Sequence, residues 1–198
     1  MLNMKKGCAV PFPEKIREEY QTEENRITAN VGADKLKAVL EHFLSMYSEP
    51  VFFILELPTN ANDEERGADG GINELHKDVY YIDGLSVEEA LALLEREGEL
   101  LIHDGLSRFG FGGHETGDEI MVCDYNVVII FSSNIGRYKD FFDAHGITET
   151  KELVTAWDTF SRDNPGCCRS YALNGRDVYA LPDLYKEWGM YMAERRAE

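Results

Sequence analysis

The sequence EIMVCDYNVVIIFS at residues 119–132 contains two apolar runs separated by a short polar stretch. Residues 119–123 and 127–132 are rich in aliphatic and β-branched side chains, which favour strands. Asp124, Tyr125 and Asn126 lie between the two runs and are typical of a turn. The pattern therefore predicts two neighbouring strands. The second is apolar on both faces, so we expect it in the interior of a sheet.

The segments on either side of this hairpin mix further strands with helices. Hydrophobic periodicity predicts strands at residues 51–57, 78–83, 100–103 and 107–111, and helices at residues 13–22, 33–47, 86–97, 137–144, 149–161 and from Pro182 onward. Ser86 and Glu89 have the spacing of a capping box, and Gly98 is expected to end that helix. Asn174-Gly175 predicts a second hairpin, between residues 170–173 and 177–181.

Strands and helices do not alternate regularly along the chain, which argues against a doubly wound parallel sheet. The predicted fold class is α+β, with helices packed against a mainly antiparallel sheet. We expect a single α+β domain over residues 1–198, in which residues 1–30 are a candidate for a loosely attached N-terminal segment.

The charge of the chain is strongly negative and unevenly distributed. The sequence has 37 acidic and 20 basic side chains, a net charge of -17. Residues 51–150 hold 21 of the acidic and 6 of the basic side chains, which is -15 of that total. Such a field repels nucleic acid and anionic lipid and attracts basic protein surfaces. We therefore expect no nucleic-acid or membrane partner.

Cysteine usage and hydrophobic run length predict the compartment. Cys8, Cys123, Cys167 and Cys168 form no C-x-x-C motif. The longest apolar runs, at residues 51–55 and 127–131, are too short to span a bilayer. These features predict a cytoplasmic protein with reduced thiols. Cys123, on an apolar strand, is expected to be an inert core residue, whereas Cys167 and Cys168 follow a turn and are candidates for reactive thiols.

The first functional hypothesis is a binding protein that covers a basic protein partner. Its motivation is the concentrated negative charge together with the lack of a catalytic motif, which favours a binding protein over an enzyme. The residues expected to contact the partner are the acidic side chains of a long loop and two tyrosines on the following strand: Asp63, Glu64, Glu65, Asp69, Tyr80 and Tyr81. Strand alternation places one of the two tyrosines outward.

Two alternatives remain open from the sequence. One is a metal-assisted hydrolase in the His-, Asp- and Glu-rich stretch 103–124, where His103, His114 and Asp118 would hold a divalent ion such as zinc. No H-E-x-x-H spacing supports that site, and turn-forming acids with two surface histidines explain the same residues. The other alternative is a structural or assembly subunit whose exposed aromatic side chains join copies of the chain.

The chain resembles, in size and charge alone, the small acidic immunity proteins that bacteria keep beside toxic nucleases. The resemblance implies a basic toxin or nuclease as the partner. It includes no motif, so it implies no site residue and no cofactor.

Overall fold

The computed structural model describes residues 2–48, 50–66 and 70–197. In this part of the chain the α-helices are α1 (Ala33–Ser45), α2 (Val87–His103), α3 (Lys139–Ala144) and α4 (Leu181–Leu184). The strands are β1 (Cys8–Ala9), β2 (Glu19–Glu23), β3 (Arg26–Asn30), β4 (Val51–Pro58), β5 (His76–Leu85), β6 (Arg108–Gly113), β7 (Glu119–Val122), β8 (Val127–Phe131), β9 (Thr148–Glu149), β10 (Cys167–Cys168) and β11 (Tyr191–Ala197).

The described strands form one large sheet and one small ladder. The large sheet has the order β11-β5-β4-β6-β7-β8-β3-β2-β9, and β1 pairs separately with β10. The pairs of the large sheet are antiparallel except β2 with β9. The α+β fold class is therefore confirmed. The predicted hairpin is β7 and β8, and β8 lies between β7 and β3, as its two apolar faces require.

The helices cover one face of the sheet. Alternation along β4 directs Phe53, Leu55 and Leu57 into the main hydrophobic cluster. The buried apolar residues of all four described helices join the same cluster. Burial of one Leu or Phe side chain contributes about 1.5–3 kcal/mol, so this cluster is the main source of folding free energy.

Helix α2 differs from its prediction at the C-terminal end. The capping box is confirmed, because Ser86 Oγ accepts from the backbone N–H of Glu89 and Glu89 accepts from the N–H of Ser86. However, the helix passes through Gly98 and ends at His103, so the predicted strand 100–103 is wrong. Leu100, Leu101 and Ile102 continue the buried stripe of the helix, and this packing outweighs the cost of about 1 kcal/mol for an internal glycine.

The predicted helix at residues 149–161 is also wrong. Its apolar spacing suits a helix, but these residues form β9, an extended segment and a single 3-10 turn at Trp157–Thr159. Side chains from the neighbouring strands form hydrogen bonds with the backbone of this segment, in place of the hydrogen bonds within a helix. Asn30 donates to the carbonyl of Val154, at 2.9 Å, and Gln21 accepts from the N–H of Leu153, at 3.2 Å.

Both ends of the chain contain further differences. Pro182 lies in the four-residue helix α4, and the predicted C-terminal helix is replaced by the edge strand β11. Asn174 and Gly175 form the expected tight turn, with positive φ at both residues, but no strands flank it. The predicted helix at 13–22 is a 3-10 turn at Pro13–Lys15 followed by β2. The described part of residues 1–30 contributes β1, β2 and β3.

Candidate functional sites

The acidic loop joins β4 to β5, over residues 59–75. The side chains of Asp63 and Glu65 are exposed, whereas Glu64 is buried. Asp69, also predicted to bind a partner, lies outside the described residues. A cavity of about 350 Å³ opens beside the loop, and its lining residues include Asp63, Glu64, Glu65, Glu74, His76 and Arg195. Two of the predicted carboxylates are therefore available to a partner.

Glu64 holds the loop together. Its carboxylate accepts from the backbone N–H of His76, at 2.8 Å, and contacts the Nδ1 atom of the same residue, at 2.7 Å. Desolvation opposes ionisation of Glu64, but the hydrogen bonds from His76 outweigh it, so the pKa of Glu64 is lowered. The side chain is almost inaccessible and has its partners within the chain.

The two predicted tyrosines lie on opposite faces of β5, as strand alternation requires. Tyr80 is opposite Leu55 and Met192 and packs against the main cluster beneath the helices. Tyr81 is opposite Ile54 and Tyr191 and packs on the other side, which we call the outer face of the sheet. Only Tyr81 is therefore positioned to contribute to a surface outside the helical layer.

The outer face has its own small hydrophobic cluster. Its buried members, Ile54, Val79 and Met121, come from β4, β5 and β7, and Phe52, Tyr81 and Cys123 pack against them. Each of these residues lies on a strand or directly after one. The described helices contribute no residue to this cluster.

Four aromatic side chains form a row at one end of the outer face, and we call this row the aromatic patch. The ring of Tyr191 lies 6.4 Å from that of Tyr81, Tyr81 lies 5.7 Å from Phe52, and Phe52 lies 5.4 Å from His114, measured between centroids. His114 and Tyr191 are exposed, while Phe52 and Tyr81 are half-buried. Large amphipathic rings that remain accessible are the side chains most enriched in protein interfaces.

The glycine-rich stretch at 110–113 makes room for this patch. A Cβ atom on Gly112 would lie 2.2 Å from Cζ of Phe52, and one on Gly110 would lie 1.8 Å from the carbonyl oxygen of Ile120. The absence of a side chain at Gly112 therefore lets the Phe52 ring approach β6 closely. The close contacts at Gly110 and Gly112 give these two glycines a structural role.

Two carboxylates border the aromatic patch. Asp83 accepts from the hydroxyl of Tyr191, at 2.7 Å, and lies 3.6 Å from Nε2 of His114. Glu119 is half-buried opposite Gly112, and its pKa is raised by desolvation and by the nearby charge of Glu56. Among the described residues Glu119 forms no ion pair, so its negative charge on the outer face is poorly compensated.

The three residues of the metal hypothesis have separate surroundings. His103 accepts from the N–H of Lys6, at 3.3 Å, and its ring contacts Tyr171. His114 belongs to the aromatic patch. Asp118 is buried and accepts from Arg137 and from two hydroxyl groups. In the described ranges, no group of three or more His, Cys, Asp or Glu side chains is placed to hold a metal ion.

Comparison of the chain with protein-family models, with curated proteins and with solved structures gives no match. Among the described helices, none has both the length and the apolar content needed to cross a bilayer.

Proposed function

We propose that this chain is a binding protein that uses the outer face of its sheet to cover a basic protein partner. The observation that carries the proposal is the aromatic patch beside the carboxylate of Glu119, which is half-buried and has no ion-pair partner among the described residues. A lysine or arginine of the partner could lie over the rings of Tyr81 or Phe52 and pair with Glu119 or Asp83. A cation over an aromatic ring contributes roughly 0.5–2 kcal/mol, depending on its desolvation.

The overall charge supports the same class of partner. The net charge of -17 is concentrated in residues 51–150, which include β4 to β8 and the acidic loop. The loop lies about 20 Å from the patch along β4, from the rise per residue of a strand. At that distance Asp63 and Glu65 would accelerate the approach of a basic partner more than they would stabilise the complex. A toxic nuclease, implied by the resemblance in size and charge, is one such partner.

The test is affinity capture by tagged wild-type and variant protein from a lysate of the source cells, at low and at high salt. We expect the wild type to retain a basic protein at low salt and to release it at high salt. Tyr81→Ala should reduce the retained amount at least tenfold, because central aromatic anchors contribute about 2 kcal/mol or more. The control is Tyr179→Ala, a partly exposed tyrosine whose hydroxyl contacts Pro58 and whose ring is outside the patch.

The affinity-capture experiment has three outcomes. Retention that depends on salt and on Tyr81, but not on Tyr179, supports the proposal and names the partner. Equal retention by the two tyrosine variants would contradict the use of the outer face. A lane without any retained basic protein at either salt concentration would contradict the proposed function itself.

One observation favours the assembly alternative as a second candidate. Strand β11 forms one edge of the sheet, and all seven of its residues are exposed, including the apolar side chains of Tyr191 and Met192. A long exposed edge offers unpaired backbone groups to another strand. Sedimentation velocity over a range of concentrations tests this candidate. A concentration-dependent dimer that Met192→Lys abolishes would favour assembly, and a monomer throughout would exclude it.

A further inference from the structure

Two cysteines far apart in sequence face each other in the small ladder of β1 and β10. Cys8 is opposite Cys168, and their Sγ atoms are 3.8 Å apart although 160 positions separate them. The next residues along the ladder, Gly7 and Arg169, are joined by a backbone hydrogen bond, in which the N–H of Arg169 donates to the carbonyl of Gly7 at 2.8 Å. The N–H of Cys8 does not donate to Cys168; it donates to the carbonyl of Lys5, at 3.0 Å. Cys8 and Cys168 are therefore a non-hydrogen-bonded pair.

This register is compatible with a covalent bond between the sulfurs. The Cα atoms of a non-hydrogen-bonded antiparallel pair are about 4.5 Å apart, and their side chains lie on the same side of the ladder. A disulfide needs Cα atoms roughly 4.4–6.8 Å apart. Both cysteines are free thiols in the structure. Oxidation would require little movement of the backbone.

The turn between β7 and β8 packs against the two cysteines. Cys8 and Tyr125 are buried in one small hydrophobic cluster, and Cys168 packs against it. Tyr125 and Asn126 have φ values of 52° and 67°, in the left-handed region that asparagine tolerates but that is uncommon for tyrosine. The buried side chain of Asn126 fixes this conformation by accepting from the N–H of Lys5, at 2.9 Å, and donating to the carbonyl of Val31, at 2.8 Å.

A buried lysine lies beside the same thiols. Lys5 is 1% exposed, and its Nζ atom has no hydrogen-bond partner among the described residues. Burial lowers the pKa of Lys5, and the charge of Cys8 is the strongest of the effects that oppose this shift. Conversely, a hydrogen bond from Cys168 lowers the pKa of Cys8, and the Lys5 charge lowers it further against desolvation. An ammonium and a thiolate therefore stabilise each other in this site.

The site is reached from solvent through Cys168. Cys168 is partly exposed and lines a cavity of about 180 Å³ together with Tyr125, Trp157 and Asp124. Cys8 is buried behind it. The sulfur of Cys168 can therefore meet a reactant in the cavity. The buried sulfur of Cys8 lies 3.8 Å from that of Cys168 and can complete the reaction.

We propose that Cys8 and Cys168 are a redox-active dithiol that a low-molecular-weight disulfide oxidises reversibly to an intramolecular disulfide. The pair loses one proton, and transfer of the remaining proton between the sulfurs makes Cys168 the thiolate. Cys168 attacks one sulfur of the reactant RSSR, forms a mixed disulfide and releases RS⁻. Cys8 then gives its proton to the released RS⁻, and the resulting Cys8 thiolate attacks the Cys168 sulfur and releases the second RS⁻. The cysteines lose two electrons, and the two thiol protons end on two RSH molecules.

The test equilibrates the full-length protein in mixtures of reduced and oxidised glutathione, followed by acid quenching, alkylation and peptide mapping by mass spectrometry. We expect a disulfide between residues 8 and 168 to appear as the oxidised fraction rises and to disappear in reduced glutathione. Cys167→Ser should leave this transition unchanged, while Cys168→Ser should abolish the intramolecular disulfide. No disulfide between residues 8 and 168 in oxidised glutathione alone, or one that reduced glutathione does not break, would overturn the proposal.

The role of Lys5 has a separate measurement, the rate of iodoacetamide labelling of Cys8 as a function of pH in the Cys168→Ser background. Lys5→Met should move the labelling profile to higher pH, because the thiolate loses its cationic neighbour. An unchanged profile would contradict a stabilising role for Lys5. If Lys5→Met does not fold, the Lys5→Arg variant keeps the charge and should retain the wild-type profile, and a profile moved to higher pH in that variant would contradict the same role.

Discussion

The substitution Asp118→Ala tests whether the buried Asp118 carboxylate, which the sequence makes a candidate metal ligand, is a structural residue. Asp118 accepts from the hydroxyls of Tyr47 and Ser132, at 2.9 and 2.8 Å, and from the guanidinium of Arg137, at 2.5 Å. The N–H of Ser133 donates to its other oxygen, at 3.2 Å. Alanine would leave all four donors without this acceptor.

The expected loss follows from the burial of these groups. Removal of one partner of a buried ion pair costs roughly 3–5 kcal/mol. The side chain of Asp118 is 4% exposed, but that of Arg137 is 28% exposed and can recover some hydration, so the lower end of the range applies. We expect a loss of about 3 kcal/mol, which for a chain of this size lowers the melting temperature by roughly 6–12 °C.

The assay is urea unfolding followed by circular dichroism, together with a thermal scan. Asp140→Ala, which removes an exposed carboxylate in the first turn of α3, is the matched control and should change stability by less than about 1 kcal/mol. A loss for Asp118→Ala equal to that of the control would refute the structural role of the Asp118 carboxylate.

Three further predictions concern stability. Glu97→Gln, which removes the charge of a fully buried acceptor in α2, should lose about 2–3 kcal/mol in urea unfolding; an unchanged midpoint would contradict this. Gly112→Ala should lower the free energy of unfolding by about 1–3 kcal/mol, because the new Cβ atom displaces the ring of Phe52. Gly136→Ala should be near neutral, because its Cβ atom would lie 3.8 Å from the nearest atom, Oδ1 of Asn134. Equal losses in the two variants would contradict crowding at Gly112. The raised pKa of Glu119 means that the folded state binds the proton more tightly than the unfolded state, so the contribution of Glu119 to stability declines as pH rises above 4.5, the unfolded value. Glu119→Gln should therefore flatten this part of the pH–stability profile, and an identical slope in the variant would argue against the raised pKa.

The elements that the sequence predicted well depend on local patterns. The stripe of α1 buries Leu36, Leu40 and Phe43 on the face that their spacing indicates. The capping box at Ser86 and Glu89 forms within four residues. Both patterns are formed by residues only a few positions apart, so the sequence alone is enough to predict them.

The elements that were predicted wrongly depend on distant partners. Residues 149–161 have helical spacing, but Asn30 and Gln21 bind their backbone from strands more than a hundred positions away. Pro182 predicts the start of a long helix, but the helix ends at Leu184, and residues Tyr191–Ala197 pair with β5 as the edge strand β11. Tertiary hydrogen bonding therefore overrides local propensity in the C-terminal quarter of the chain.

The candidate sites show the same division. Strand alternation predicts that one of Tyr80 and Tyr81 faces outward but does not tell which, and the structure places Tyr81 on the outer face. Phe52, His114 and Tyr191 join it only through the register of β4, β5, β6 and β11, which the sequence does not reveal. The two redox candidates are 160 positions apart, so no motif could have indicated their contact.

The central claim, that the outer face binds a basic partner, is tested most directly with Glu119→Gln and the captured partner. The substitution removes a desolvated charge, so we expect the folded chain to be as stable as the wild type or more stable at neutral pH. If Glu119 pairs with a cation of the partner, the dissociation constant measured by calorimetry should rise at least tenfold, because a hydrogen bond to a charged group contributes about 1.5–3 kcal/mol. An unchanged dissociation constant in a variant of undiminished stability would contradict the claim.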